Sequence, residues 1–116
     1  MSEATPATVS EALLVSTTTE TVEAATHLAQ QLVERELAAC VQIVSPIKSV
    51  YRWQGKVEMA DEVLILIKTT AVAYAALETA IKELHSYQTP EIIAVPITLG
   101  SAEYLSWLQA GVKSAN

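Results

Sequence analysis

The segment that decides the fold is residues 40–70, which read CVQIVSPIKSVYRWQGKVEMADEVLILIKTT. Its two halves, Cys40–Trp53 and Val57–Thr69, are rich in the β-branched and aromatic residues that favour strands, and only Ser45-Pro46 interrupts them. Between the halves, Gln54-Gly55 has the length and composition of a two-residue hairpin turn. The segment therefore predicts two long antiparallel strands joined by a tight turn.

A turn at Gln54-Gly55 also sets the register of the two strands. Charged residues then face charged residues and apolar residues face apolar ones, which is the arrangement that stabilises cross-strand pairs. The predicted facing pairs are Lys48 with Asp61, Val50 with Met59, and Val44 with Ile65.

The predicted hairpin is longer than the domain that carries it. At ~3.3 Å per residue, a straight strand from Cys40 to Trp53 reaches roughly 45 Å, whereas a compact domain of this size has a diameter of roughly 35 Å. An isolated two-stranded ribbon with many apolar residues at its far end is not stable in water. We therefore expect this end to contact other copies of the chain in a closed ring. The predicted interface residues are Val50, Tyr51, Trp53 and Met59.

Strand and helix patterns continue on both sides of the hairpin. Before it lie a short apolar run at Ala12–Ser16, typical of a buried strand, and an amphipathic helix from Glu20 to about Ala38. After it come a second amphipathic helix at Ala71–Leu84, a strand at Glu91–Ile97 and a short third helix that begins at Ala102. This order predicts an α+β fold: a ferredoxin-like βαββαβ sandwich with an extra C-terminal helix and a long hairpin between the second and third strands.

Local signals refine the ends of these elements. Thr19, Thr70 and Ser101 precede the three helices and are predicted as their N-caps. Pro96 has no N–H to donate to a ladder, so the last strand is predicted at a sheet edge or end.

Length, composition and charge limit the classes of function. We predict one domain at residues 11–116, after a disordered tail at residues 1–10 whose composition offers little apolar surface to bury. The net charge is −6 and the seven Lys and Arg are not clustered, which argues against a nucleic acid partner. A single cysteine, Cys40, the lack of a membrane-length apolar run and the lack of a secretion signal predict a cytoplasmic protein without a membrane partner.

Five segments occur in an order and spacing that chance does not readily produce. They are Leu37–Val41, Tyr51–Lys56, Ile67–Thr70, His85–Ile92 and Tyr104–Leu108. Together they resemble the CutA family of divalent-cation-tolerance proteins. The resemblance implies a ferredoxin-like homotrimer, similar in structure to the PII nitrogen-signalling proteins and associated with tolerance to copper and other divalent ions. It implies no known reaction. Because no nucleophile–base motif, P-loop, HExxH or CxxC is present, we predict that the chain is not an enzyme.

The loop after the second predicted helix holds the first candidate site. His85 ends that helix, and Tyr87 and Glu91 follow on either side of Thr89-Pro90. Two interpretations are open: His85 is a metal or anion ligand, or it is a helix-end residue with a capping role. The position in a loop favours a functional role. We predict His85 and Glu91 as metal ligands.

A second set of residues is predicted to line a ligand pocket: Lys68, Tyr87 and Glu58. Lys68 either holds an anionic ligand, pairs with a carboxylate across an interface, or limits edge pairing at a strand end. Glu58, like Glu62 and Glu91, also has the oxygen ligands that hard cations prefer.

The resemblance also raises the question of whether the residues that bind copper in some CutA proteins are present here. Some CutA proteins are associated with copper ligands at a cysteine that ends the first strand and at two adjacent histidines that end the second helix. The corresponding positions here are Ser16, Leu84 and His85, so only one ligand of three is present. A divalent metal ion is expected, and Cu²⁺ only as a weakly bound ion. Cys40 cannot replace the missing ligand, because the predicted topology places it at the opposite end of the sheet, beside Lys68.

The leading functional hypothesis is therefore a trimeric divalent-metal-ion-binding protein. One alternative is a PII-like sensor that binds a small anion or nucleotide between subunits and signals to an unidentified protein partner, and another is a purely structural trimer with no ligand. A glycine-rich or basic phosphate cradle would favour the sensor, and the sequence has none.

Overall fold

A computed structural model describes residues 10–114. It contains seven elements in the predicted order: β1 (Ala12–Thr19), α1 (Val22–Glu34), β2 (Cys40–Trp53), β3 (Lys56–Thr70), α2 (Tyr74–Leu84), β4 (Ile93–Pro96) and α3 (Ala102–Ala110). The α+β fold of the βαββαβ type, with an added C-terminal helix, is confirmed. None of the helices within these residues is long and apolar enough to cross a membrane.

The four strands form one antiparallel sheet in the order β2-β3-β1-β4. Alternate side chains of β3, Val63, Ile65 and Ile67, are buried against α1 and α2, because successive residues of a strand point to opposite faces. Leu32 of α1 and Ile81 of α2 are fully buried in the same core. The two helices therefore cover one face of the sheet. The edge position predicted for Pro96 is confirmed, since β4 pairs only with β1.

The hairpin has the predicted turn and most of the predicted register. Gln54 and Gly55 have φ angles of 52° and 81°, and positive φ at both positions is the geometry of a two-residue hairpin turn. Lys48 faces Asp61, with Nζ 2.7 Å from Oδ1, and Val50 faces Met59.

The predicted pairing of Val44 with Ile65 is wrong, because Val44 faces Leu64. The next pair is Ile47 with Glu62, so three steps along β2 match two along β3. Ser45-Pro46 therefore lies in a bulge that adds one residue to β2.

The ends of α1 differ from the prediction. Thr21, and not Thr19, is the N-cap, and its side chain accepts a hydrogen bond from the Ala24 N–H. Thr19 instead extends β1, and its hydroxyl donates to the Thr21 carbonyl. The helix ends at Glu34 rather than near Ala38, because Glu36 has a φ of 59°, outside the helical range.

The predicted start of α2 and the predicted length of β4 are also corrected. Residues 71–73 form a turn before α2 begins at Tyr74. Thr70 still caps this turn, because its hydroxyl accepts from the Ala73 N–H at 3.3 Å. The strand predicted at Glu91–Ile97 has ladder pairing only over Ile93–Pro96.

Most of the predicted disordered tail, residues 1–9, lies outside the described residues. Ser10, the last residue of that predicted tail, is held in place instead. Its hydroxyl accepts from the Val72 N–H at 2.9 Å, and its carbonyl accepts from the Gln109 side-chain amide. Ser10 therefore contacts the domain through both its side chain and its backbone.

Candidate functional site

His85 immediately follows α2 and lies against the end of β1. Its Nε2 is 2.6 Å from the Thr18 carbonyl oxygen, and its Nδ1 accepts from the Tyr87 N–H at 3.0 Å. Because Nδ1 accepts a hydrogen bond, the proton of the neutral ring lies on Nε2, which donates to Thr18. Both ring nitrogens are thus engaged with backbone groups. Neither bond reaches a terminal carbonyl of α2, and a metal ion would have to displace one of the two hydrogen bonds.

Tyr87 connects this loop to the hairpin. Its hydroxyl donates to Glu62 Oε2 at 3.0 Å, and the Ser49 hydroxyl donates to Glu62 Oε1 at 2.6 Å. Burial, and then the hydrogen bond to Glu62 and the charge of that carboxylate, raise the pKa of Tyr87 from 10.0 to about 12. The rings of His85 and Tyr87 also contact each other, with centroids 4.7 Å apart.

The sequence contains one signal for the Glu62 contact. Asp61 and Glu62 are adjacent in a strand, so their side chains point to opposite faces and only Asp61 can pair with Lys48 across the hairpin. Glu62 is therefore left to accept from another donor or from water. From the sequence, Glu62 was only a possible cation ligand, and Ser49 had no predicted role.

The three residues predicted for a ligand pocket do not meet within one chain. Lys68 faces Cys40 at one end of the sheet, and its Nζ donates to the Tyr104 hydroxyl at 3.2 Å and lies 5.3 Å from the centre of that ring. Tyr87 lies near the other end, and Glu58 faces Tyr51 near the tip of the hairpin, where it is exposed. A pocket that uses all three residues requires more than one subunit and stays a prediction.

A resident copper centre does not fit these residues. Cys40 and His85 lie at opposite ends of the sheet, as the topology predicted. Ser16 and Leu84 offer neither thiolate nor imidazole, and within residues 10–114 no group of three or more His, Cys, Asp and Glu is placed to hold a metal ion. Glu91 is exposed, two residues before β4. The assignment of His85 and Glu91 as metal ligands stays a prediction.

The predicted interface residues are strongly exposed in the single chain. Met59, Val50 and Trp53 have exposed fractions of 69%, 61% and 57%, and Tyr51 is also exposed. The same end of the hairpin carries exposed Val57. Side chains of this size and polarity lie in contact with other apolar groups when a partner is available.

The topology defines the class of the protein: a ferredoxin-like α+β domain whose second and third strands extend into a long hairpin. The profile of the CutA1 divalent ion tolerance protein family matches residues 13–111. A divalent-cation tolerance protein CutA from Thermus thermophilus is 48% identical over 99 residues, which cover 85% of this chain and 94% of that protein. The chain belongs to the CutA1 divalent ion tolerance family.

Solved structures agree with this assignment. CutA1 from Oryza sativa superposes with a TM-score of 0.88 at 40% identity, over 91% of this chain and 97% of that one. A periplasmic divalent cation tolerance protein CutA from Archaeoglobus fulgidus superposes with a TM-score of 0.85 at 39% identity, over 88% of this chain and 99% of that one. Family membership thus links the chain to divalent cation tolerance.

Proposed function

We propose that the protein is a homotrimer in which the hairpin of each subunit packs on a neighbouring subunit, and that it contributes to cation tolerance by binding divalent ions weakly rather than by catalysis. The main observation that supports assembly is the exposed apolar end of the hairpin. The longest dimension of the chain is 57 Å against 25 and 22 Å in the other directions, so the hairpin extends beyond the domain that carries it.

A second exposed apolar surface supports a head-to-tail contact. Ile93 and Val95 of β4 are more than half exposed on the single chain, and so is Leu99. A contact between two different surfaces of the same chain generates a ring when the rotation closes. The resemblance to PII-like CutA trimers selects a ring of three.

The divalent ion is proposed to bind the protein weakly, as cargo rather than as a resident cofactor. The net charge of −6 attracts cations in general, and His85 is the only residue of the expected copper ligand set that is present. Because both nitrogens of His85 already form hydrogen bonds, capture of an ion costs one of these bonds and the affinity is low.

Two measurements test the proposal. Light scattering of the wild-type protein is expected to give about three times the chain mass of 12.5 kDa, and a monomer at micromolar concentration contradicts it. Calorimetry of metal-stripped protein with Cu²⁺ and Zn²⁺ is expected to show weak binding that His85→Ala reduces and Cys40→Ser leaves unchanged. The reverse pattern would refute the role of His85.

The alternative function is an anion sensor, and one observation favours it. Lys68 forms no salt bridge within the described part of the chain, so its charge is available to a ligand or to a neighbouring subunit. Calorimetry with ATP tests this alternative, which requires binding that Lys68→Met abolishes. The single cysteine supports a cytoplasmic location for either function. Recovery from another compartment on fractionation would contradict it.

A further inference from the structure

The bulge in β2 divides the hairpin into an inner and an outer part. We name residues 47–62 the hairpin arm. The arm begins where the ladder of β2 and β3 is interrupted, between the pairs Val44 with Leu64 and Ile47 with Glu62. A bulge bends the strand that contains it and leaves the ladder locally unpaired. The direction of the arm is therefore weakly determined by the sheet alone.

A hydrogen-bonded bridge reaches the arm directly beyond this bulge. Glu62, at the base of the arm, accepts from the Tyr87 hydroxyl through one carboxylate oxygen and from the Ser49 hydroxyl through the other. Tyr87 belongs to the loop between α2 and β4, whereas Ser49 and Glu62 belong to the two strands of the arm. One carboxylate thus joins both strands of the arm to a loop of the domain.

The loop itself is fixed to the sheet by His85. The Nε2 of His85 donates to the Thr18 carbonyl of β1, and the Tyr87 N–H donates to the Nδ1 of the same ring. A continuous path of hydrogen bonds therefore runs from the end of β1 to both strands of the arm. Hydrogen bonds to a charged carboxylate are stronger than those between neutral groups, so the last link of this path is strong enough to orient the arm.

We propose that Tyr87, acting through Glu62, is a positioning residue that sets the direction of the hairpin arm and thereby the fit of the arm to a neighbouring subunit. The inference rests on the proposed homotrimer, because a defined direction matters only if the arm must meet a partner surface. A tyrosine hydroxyl is protonated at neutral pH, and the raised pKa of Tyr87 extends the presence of this donor to alkaline pH.

The test compares two Tyr→Phe variants. Tyr87→Phe removes the bond to Glu62, whereas the control, Tyr74→Phe, removes a tyrosine hydroxyl whose neighbouring carboxylate, Glu78, lies in the same helix, α2. Both are made in a Cys40→Ser background that carries spin labels at Gln30→Cys in α1 and Lys56→Cys at the tip of the arm. Pulsed EPR on protein diluted with unlabelled subunits measures the distribution of distances between the labels within one chain. Analytical ultracentrifugation of the unlabelled variants over a dilution series measures dissociation.

Tyr87→Phe is expected to broaden the distance distribution and to raise the apparent dissociation constant by about tenfold, the effect of losing one charge-assisted hydrogen bond. Tyr74→Phe is expected to match the wild type in both measurements. If Tyr87→Phe fails to fold, Ser49→Ala carries the test, because it releases the other strand of the arm from the same carboxylate and is expected to broaden the distribution as well.

The outcomes separate this inference from the proposed trimer. A wild-type trimer in which Tyr87→Phe and Tyr74→Phe behave alike overturns the role of Tyr87 and leaves the trimer standing. A wild-type monomer overturns the trimer, and the distance distribution then still decides whether Tyr87 orients the arm.

Discussion

Among single residues, Thr17 and Thr69 of the sheet are both fully buried but differ in hydrogen bonding. The hydroxyl of one is hydrogen-bonded, and that of the other is not. The Thr69 hydroxyl donates to the Leu37 carbonyl at 2.7 Å. The Thr17 hydroxyl is also fully buried and has no hydrogen-bond partner among residues 10–114. A buried polar group stabilises a fold only when it is paired, so the same substitution is expected to act in opposite directions at the two positions.

Thr69→Val is predicted to lower the free energy of unfolding by about 1–3 kcal/mol, because it leaves the Leu37 carbonyl without its donor. Thr17→Val is predicted to leave the free energy of unfolding unchanged or to raise it by up to about 1 kcal/mol, since no bond is lost there. Urea denaturation of the two variants beside the wild type measures both values. Equal losses in the two variants would show that the Thr17 hydroxyl has a partner after all.

Tyr87 gives a prediction for alkaline pH. Its pKa in the folded protein is about 12 against 10.0 for an unperturbed tyrosine, so the folded state holds this proton more tightly than the unfolded state. The contribution of Tyr87 to stability is therefore complete below about pH 10 and is lost as the pH rises through about 12. Tyr87→Phe has no such proton, so the stability advantage of the wild type over this variant is expected to shrink between about pH 9 and pH 12. Chemical denaturation across this range measures it, and a constant difference contradicts the assignment.

Among the helices and strands, the features that depend on residues close together in the sequence, such as the hairpin turn and the register next to it, were predicted correctly. The turn at Gln54-Gly55 aligned Val50 with Met59 because both lie within a few residues of it. Val44 was misplaced because the count from the turn assumed equal numbers of residues on both strands, and the bulge adds one to β2. The cap of α1 was misplaced for a similar reason: Thr19 and Thr21 are equally good caps in sequence, and pairing of Thr19 with Val63 in the sheet decides between them.

The candidate site was predictable to the extent that topology determines it. The separation of Cys40 from His85 followed from the order of the strands. The bond between Tyr87 and Glu62 did not, since 25 residues separate them and their contact depends on the path of the loop after α2. The role of His85 was left open between ligand and cap, because the sequence does not reveal which atoms its ring nitrogens meet.

The turn of the hairpin offers a prediction at this scale. Gln54 adopts a φ of 52°, which costs a residue with a long side chain more than it costs Asn or Gly. Gln54→Asn is therefore predicted to raise the melting temperature, whereas Gly55→Ala, at a φ of 81°, is predicted to lower the free energy of unfolding by about 1–2 kcal/mol. Thermal denaturation followed by circular dichroism measures both. A lower melting temperature for Gln54→Asn would mean that the Gln54 side chain makes a contact in the assembled protein.

For the chain as a whole, the contacts of Ser10 with the domain predict different effects for two truncations of the N-terminus. Removal of residues 1–9 is predicted to leave the melting temperature nearly unchanged, because their composition offers little to bury. Removal of Ser10 in addition is predicted to lower it, because the Val72 N–H and the Gln109 side chain then lose their acceptors. Thermal denaturation of the two truncations tests this. A large loss in the shorter truncation would show that residues 1–9 pack against the domain or a neighbour.

The overall shape follows from the hairpin arm. The radius of gyration is 15.7 Å, larger than the roughly 13 Å of a compact domain of this length. The radius of gyration is larger because the arm extends beyond the core, and the core therefore does not cover the apolar side chains at the tip of the arm. Assembly is the arrangement that removes this surface from water without a change of fold.

Shortening the arm tests whether its tip holds the subunits together without altering the domain. Replacement of residues 51–58 by Asn-Gly joins Val50 to Met59, which already face each other, so a two-residue turn preserves their register. The change removes the exposed side chains of Tyr51, Trp53 and Val57 and leaves the core of the domain untouched. Circular dichroism is expected to show the same secondary structure in the rest of the chain, and Trp107 remains to follow unfolding by fluorescence.

Light scattering of this shortened protein is expected to show monomers or aggregates in place of the proposed trimer, because the remaining contact surface no longer includes the end of the arm. If the shortened protein stays trimeric, the sheet face and β4 carry the assembly and the arm has another role. A folded monomer is the decisive outcome, since it shows that the apolar residues at the tip of the arm, which the domain itself does not need, hold the subunits together.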